Sequence, residues 1–343
     1  MNQSQVDVPV QDRMAALNKH VAHWLGHERW RLSPASSDAS FRRYFRVAVD
    51  DGNSYIVMDA PPPREDCRPF VRIARQFRQL GLNVPEIIAQ DLPQGFLLLS
   101  DLGDRIYLPE LSDSSVDQLY AEAVSSIALL QAAQGDGGLP PYDRQRLHFE
   151  VSLFHEWFLG RYLNIPENRQ PRDAIEAVYS AVIDSALEQP QVWVHRDFHS
   201  RNLMLTNDGH NPGVLDFQDA VVGPITYDLV SLFRDCYIGW PAEKVYHWLA
   251  QYRLRYLLGG GIADVNDQRE FERWFDLMGM QRHLKCVGIF ARLNIRDGKQ
   301  AYLQHIPRTF QYIVDVLQRY RMFPAFNRFI QDSVLPALNK AKH

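Results

Sequence analysis

The sequence predicts an α+β chain of two lobes, the first an antiparallel β-sheet with one principal helix and the second mainly α-helical. Three observations lead there. Short strand-like runs separated by turns fill the region before Leu102, 3.6-residue periodicity dominates the remainder of the chain, and a polar, loop-rich run at residues 192–228 interrupts the helical part. A chain of 343 residues, 46% hydrophobic and 23% charged, is long enough for two cores.

Met14, Leu17, Val21, Trp24 and Leu25 recur at helical spacing before Gly26. Residues 33–40, SPASSDAS, read as a small-residue loop; residues 41–49 and 54–58 read as two strands around the turn Asp50-Asp51-Gly52-Asn53. Phe70, Ile73, Ala74, Phe77 and Leu80 line one face of a helix, with arginines on its other sides and Gly81 as a stop. Residues 84–90 and 96–99 form a hairpin around Pro93-Gln94-Gly95. Leu98-Leu99-Ser100-Asp101-Leu102-Gly103-Asp104 then passes from apolar strand to polar loop, as a hinge does, which sets the lobes at 1–101 and 102–343. Exposed backbone around Asp101 suits the edge of an adenine.

Beyond the hinge, Val116, Leu119, Ala123, Ile127 and Leu130 mark a helix that starts near Ser114. Further helices are marked by Phe154, Trp157 and Phe158, by Ile175, Val178, Tyr179, Val182 and Ile183, and by Val245, Trp248, Leu249 and Tyr252, the last ended by Gly259-Gly260-Gly261. Residues 271–293 and 309–320 continue the pattern. No internal repeat is visible.

Composition excludes several classes. A formal net charge of −4 gives no reason to expect nucleic-acid binding, and no apolar run approaches the length of a membrane span or a signal-peptide core. Cys67, Cys236 and Cys286 lack CxxC spacing, so neither a disulfide framework nor a zinc site is expected. A cytoplasmic protein without an evident protein partner is the expectation. Charge is unevenly spread: residues 231–343 carry 17 Lys/Arg against 10 Asp/Glu, leaving 20 against 31 for the first 230.

The chemistry concentrates in residues 192–228. His195-Arg196-Asp197 comes directly after the strand Val192-Trp193-Val194, Asn202 stands five positions after Asp197, and Asp216 closes the apolar pair Val214-Leu215. Phosphoryl transfer uses this set: one carboxylate to receive or orient the attacking hydroxyl, an amide and a second carboxylate to hold Mg²⁺ against the phosphates of ATP. Asp197 takes the first role, Asn202 and Asp216 the second. In the first lobe the small residues Ser37 and Ser40 let backbone N–H groups approach phosphates. Arg42 and Arg43 are the nearest cations; strand alternation points them to opposite faces, so at most one reaches a phosphate directly.

With both lobes and this stretch in place, the chain resembles the aminoglycoside phosphotransferase-like kinases, a branch of the protein-kinase-like fold, over roughly residues 33–320. The carriers are VHRDFHSRN at 194–202, LDFQD at 215–219 and GPITYDL at 223–229. Within that superfamily, DASFRRYFR at 38–46, MDAPP at 58–62 and FDLMGMQRHLK at 275–285 resemble the bacterial kinases that phosphorylate the anomeric C1 hydroxyl of N-acetylmuramate and N-acetylglucosamine in cell-wall (peptidoglycan) recycling. The resemblance implies an ATP- and Mg²⁺-dependent sugar kinase. Two alternatives stand beside it: another small-molecule kinase of the same fold, acting on an aminoglycoside or an amino alcohol, and a catalytically silent nucleotide-binding protein. A protein kinase is disfavoured, because the short segment between Asp216 and Asp228 leaves no room for an activation loop.

One departure stands out. Kinases of this fold normally carry a phosphate-binding lysine on a strand and a glutamate on the helix that pairs with it; Ser54-Tyr55-Ile56-Val57-Met58 has no lysine and residues 70–80 have no acid. Losing both leaves no orphaned charge, and Arg43 or Arg42 would replace the lysine, or the site would lean on Mg²⁺. In the remaining assignments His195 is structural, Arg196 pairs with an acid or faces solvent, and Asp228 has N-cap character and, by the resemblance, braces the catalytic loop. Asp219 contacts substrate or a second metal, or lies on the surface. The basic Arg282, His283 and Lys285 favour a neutral or anionic acceptor over a polycationic one. Glu150 and Trp157 are candidates for sugar hydroxyls and a sugar ring face, against structural roles for both.

Overall fold

The computed structural model describes residues 10–37, 41–258, 261–263 and 265–341, the side chains of residues 10, 11, 36 and 37 excepted. The chain divides into two compact units, residues 1–105 with 204–218, and residues 106–203 with 219–343. Asp216 therefore folds with the first unit, whereas Asp197 and Asn202 fold with the second.

The first unit is built on a five-stranded antiparallel sheet of order β1-β2-β3-β5-β4: β1 Trp30–Ser37, β2 Arg43–Val49, β3 Ser54–Asp59, β4 Ile87–Asp91 and β5 Phe96–Ser100. Helix α1, Val10–Leu25, lays Leu17 and Val21 on Val47, Val57, Phe96 and Leu98. All six are fully buried, each such side chain contributing roughly 1.5–3 kcal/mol of transfer free energy. Helix α2, Arg68–Gln79, buries Phe70, Val71, Ile73, Ala74 and Phe77. The small-residue run expected as a loop is strand as far as Ser37. An edge strand accommodates Pro34 because a missing N–H can face away from the ladder, and the ladder to β2 is bulged between Pro34 and Ser36. Ser40, with Asp38 and Ala39, lies outside the described residues. At Gly95, φ is +75° and an added Cβ would lie 1.9 Å from the Ala60 carbonyl oxygen, so the β4–β5 turn requires glycine.

The second unit is helical: α3 Tyr107–Glu110, α4 Val116–Gln131, α5 Arg144–Leu153, α6 Arg172–Glu188, α7 Tyr227–Phe233, α8 Ala242–Tyr252, α9 Gln268–Asp297, α10 Ile306–Tyr320, α11 Pro324–Phe329 and α12 Leu335–Ala341. Helix α5 runs on as a π-helical stretch, Phe154–Tyr162. Strands β6, Gln191–Val194, and β9, Val221–Pro224, pair antiparallel and bracket the polar run. Within that run β7, Leu203–Met204, where the chain passes back to the first unit, pairs with β8, Gly213–Val214. The 30-residue α9 is the axis of the second unit. It starts at Asp267, whose side chain accepts from the N–H groups of Arg269 and Glu270, and stops at Gly298 with φ +68°. Most of its residues from Phe271 to Leu293 are buried on all sides, so its polar residues must find partners inside the unit. Gly288 lets α5 approach: a Cβ there would lie 2.5 Å from the Leu153 backbone. No helix among the described residues is long and apolar enough to cross a membrane.

Candidate active site

Strand β6 delivers His195 at its end, and the loop after it is fixed by one buried carboxylate. Asp228 accepts the His195 N–H at 2.7 Å on Oδ2 and the Arg196 N–H at 3.0 Å on Oδ1. These bonds hold Arg196 at φ +77°, a left-handed conformation that costs a non-glycine residue on the order of 1–3 kcal/mol. Asp228 sits in the first turn of α7, behind the N-cap residue Thr226, and its carboxylate serves the loop. Burial pushes its carboxyl up, to about 7, against the two backbone donors, which favour the charged form. His195 is buried, takes the Asp197 N–H on Nδ1 at 3.2 Å, and meets the Phe198 ring edge-on.

The side chain of Arg196 turns inward to Glu150 of α5 and also donates to the Asp219 carbonyl at 3.3 Å. Glu150, 6% exposed, also accepts from the Tyr142 hydroxyl and pairs with Lys285 of α9 at 3.3 Å. Lys285 in turn donates to the Tyr227 hydroxyl at 3.1 Å. Burial would push the Glu150 carboxyl up, but Lys285 and Arg196 hold it below its ordinary value. The candidate sugar contact is thus the acid of a buried charge cluster.

That cluster governs Asp197. Burial opposes its charge, yet Lys285, His199, Arg196 and Arg282 outweigh burial and hold its carboxyl down to about 2. The side chain is partly exposed and ionised across the physiological range. Asn202 Nδ2 donates to the Asp197 carbonyl at 3.0 Å, which turns the amide nitrogen, unable to ligate a cation, toward the chain. Asp235, buried just beyond α7, accepts the Ser200 N–H at 3.0 Å and the Tyr237 N–H at 2.9 Å, lacing the loop after β6 to residues 235–237.

In the first unit Asp216 has φ +62° and accepts from Gln218 Nε2 at 2.7 Å. Phe217, fully buried, packs on Phe70 and Phe77 of α2 at ring distances of 4.8 and 5.7 Å, which anchors the backbone that presents Asp216. The amide oxygen of Asn202 and the carboxylate of Asp216 are hard oxygen donors of the kind Mg²⁺ takes. Arg42 pairs with Glu65 at 3.0 Å. Arg43 donates through Nε at 3.0 Å to Asp59, whose other oxygen takes Arg13 Nε at 2.9 Å. Asp101 receives Arg46 at 2.6 and 3.1 Å. The structure describes Ser37 as the last residue of β1 but not its side chain.

The second unit brings together Asp197, Asn202, His195, Asp228, Glu150, Asp219 and Arg282. It keeps two other candidates apart. Trp157 stacks under Arg161 at 4.1 Å in the π-helical stretch, and His283 is fully buried, its Nε2 at 3.0 Å from the Arg234 carbonyl and its ring stacked on Tyr312. Arg282 is buried with Nη1 at 3.5 Å from Cys236 Sγ. Sequence reasoning gave no role to Tyr142, Tyr227 or Asp235, and read Lys285 only as one of three basic residues favouring a neutral or anionic acceptor. Lys285 lies in a stretch of α9 that is mostly buried, where a lysine must be paired.

Residues 31–270 match the family described as Phosphotransferase enzyme family. The chain is 48% identical over 288 residues to an N-acetylmuramate/N-acetylglucosamine kinase of Pseudomonas putida, covering 84% of each protein. It is 47% identical to a protein of the same name in Pseudomonas aeruginosa, again over 84% of each. Among solved structures it resembles an ADP-bound aminoglycoside phosphotransferase with a TM-score of 0.55, covering 88% of this chain and 98% of that one; at 16% identity the likeness is one of fold.

Proposed function

We propose, because this chain belongs to the phosphotransferase enzyme family, that it is an ATP-dependent sugar kinase phosphorylating the anomeric C1 hydroxyl of N-acetylmuramate and/or N-acetylglucosamine. The observation that carries this reading is the ionised, partly exposed Asp197 on a loop fastened by Asp228, in a chain nearly half identical to kinases of that name. Its cellular role would be peptidoglycan recycling in the cytoplasm, where ATP is available.

In the reaction the sugar O1 attacks the γ-phosphorus, the O1–P bond forms as the bond to the ADP oxygen breaks, and the hydroxyl proton passes to Asp197. A carboxylate held at about 2 is a weak base, so it orients the hydroxyl first and takes the proton late. The anomeric hydroxyl, more acidic than an ordinary alcohol, suits such a base. Bound Mg²⁺ supplies charge neutralisation at the phosphates, and Asn202 and Asp216 are the residues that would hold it.

Residues 1–101 serve as the nucleotide lobe and 102–343 as the catalytic lobe. Ser37, Ser40 and Asp101 belong to the nucleotide site, with Arg43 preferred over Arg42 as the phosphate cation: if Arg43 turns to a phosphate, Asp59 keeps Arg13, whereas Glu65 would lose its ion-pair partner Arg42.

The test is an ADP-release assay with each sugar, followed by phosphorus NMR of the product. A C1 phosphate supports the reading; a phosphate on another hydroxyl, or no turnover of either sugar, overturns it. Asp197→Asn lowers kcat by roughly 10²–10⁴-fold, the range of a general-base contribution. An unchanged kcat removes Asp197 from the mechanism.

A further inference from the structure

We propose that Arg201, seated on the rings of Tyr237 and Tyr302 beside the catalytic loop, binds a carboxylate on the acceptor and thereby distinguishes N-acetylmuramate from N-acetylglucosamine. This rests on the sugar-kinase reading above. The two sugars differ by a lactyl ether on O3 that ends in a carboxylate, so a protein that tells them apart needs a cation placed for that group.

Arg201 lies four residues beyond Asp197 and is exposed. Many exposed arginines of this unit are already paired with acids: Arg144 with Asp184, Arg172 with Glu167, Arg319 with Glu272. Arg201 has no carboxylate partner among the described residues. Its guanidinium carbon instead stands 4.7 Å from the Tyr237 ring centre and 5.8 Å from that of Tyr302. Held over ring faces and without a carboxylate partner among the described residues, the guanidinium keeps N–H donors for a ligand, and its planar fork suits a carboxylate.

The platform is rigid. Asp235 ties the Ser200 and Tyr237 backbones together, His199 and His305 meet the Tyr237 ring edge-on at 5.1 and 4.8 Å, and Arg308 donates to the Tyr237 carbonyl at 2.6 Å. Arg308 also lacks a carboxylate partner among the described residues, so the patch carries two cations beside its rings. His199 lies in the field of both Asp197 and Arg201, which puts the base and the candidate carboxylate reader within electrostatic reach of one imidazole.

The experiment measures kcat and KM for both sugars with wild type, Arg201→Gln and Arg201→Lys. Arg201→Gln is expected to lower kcat/KM for N-acetylmuramate about tenfold or more, mainly through KM, the loss of a charge-assisted contact. The value for N-acetylglucosamine, which also reports that the variant is folded, changes less than about twofold. Arg201→Lys, a point charge without the fork, is expected to fall between. Equal losses for both sugars, or no loss for either, overturn the proposal while leaving the kinase reading intact. A wild type that phosphorylates neither sugar instead sinks the kinase reading on which the proposal rests.

Discussion

Glu150→Gln is the sharpest probe of the charge cluster behind Asp197. The wild-type carboxylate is 6% exposed and serves Arg196, Lys285 and the Tyr142 hydroxyl at once. Removing one partner of a buried ion pair costs about 3–5 kcal/mol, because the other charge stays buried without its partner. Here two cations lose the same acid. Two effects oppose that loss: the amide oxygen of glutamine still accepts from one donor, and Asp197 lies in the field of both cations. We therefore expect the low end, about 3 kcal/mol, a large share of the 5–15 kcal/mol typical of folded proteins. Urea unfolding at pH 7.5 measures it as a lower midpoint at unchanged slope. The pH dependence has a definite sign. Lys285 and Arg196 depress the folded carboxyl despite its burial, so its contribution is fully present above the unfolded value of about 4.3 and disappears as pH falls through the lower folded value. The difference between wild type and Glu150→Gln should be constant from pH 6 to 8 and shrink on further acidification. A destabilisation below about 1 kcal/mol, or a difference that grows as pH falls, would refute the reasoning.

Local geometry supplies two other expectations. With N-acetylglucosamine as acceptor, kcat/KM should fall on acidification near pH 7, where Asp228 gains a proton and loses acceptor capacity for the loop, while Asp197, held at about 2, stays ionised. A profile flat from pH 8 to pH 5 would contradict the role given to Asp228. Gly95→Ala combines a left-handed backbone with a Cβ 1.9 Å from the Ala60 carbonyl oxygen, and should destabilise the chain by roughly 2–5 kcal/mol in thermal or urea unfolding; a loss under 1 kcal/mol would show that the turn relaxes.

Periodicity made much of the fold legible. Strand-like composition on either side of the turn at residues 50–53 marked β2 and β3, and the spacing of Phe70, Ile73, Ala74 and Phe77 marked α2, which buries those four residues. It failed where another force decided. Strand β1 contains Pro34 and a run of serines, and its pairing to β2 overrides that composition. Local spacing put Asp197, Asn202 and Asp228 near one another, since a short loop and the turn after a neighbouring strand cannot separate far. The Glu150–Lys285 pair joins residues 135 positions apart in sequence, on α5 and α9, and no local pattern reveals such a partner.

The missing lysine of the first unit can be read in the same terms. Among the described residues around β2, Glu65 has Arg42, Asp101 has Arg46, and Asp59 has both Arg13 and Arg43. The first two arrangements are neutral, whereas the third has two cations on one carboxylate and a surplus positive charge. A fully buried acid such as Asp59 requires at least one cation, and Arg13 on α1 meets that requirement. Arg43 is then the cation that could meet a phosphate without leaving a buried carboxylate unpaired. A lysine–glutamate pair elsewhere in this fold does its work across a strand and a helix. In this chain the surplus positive charge lies where Arg43 of β2 and Arg13 of α1 share Asp59, outside Ser54-Tyr55-Ile56-Val57-Met58 and the acid-free α2.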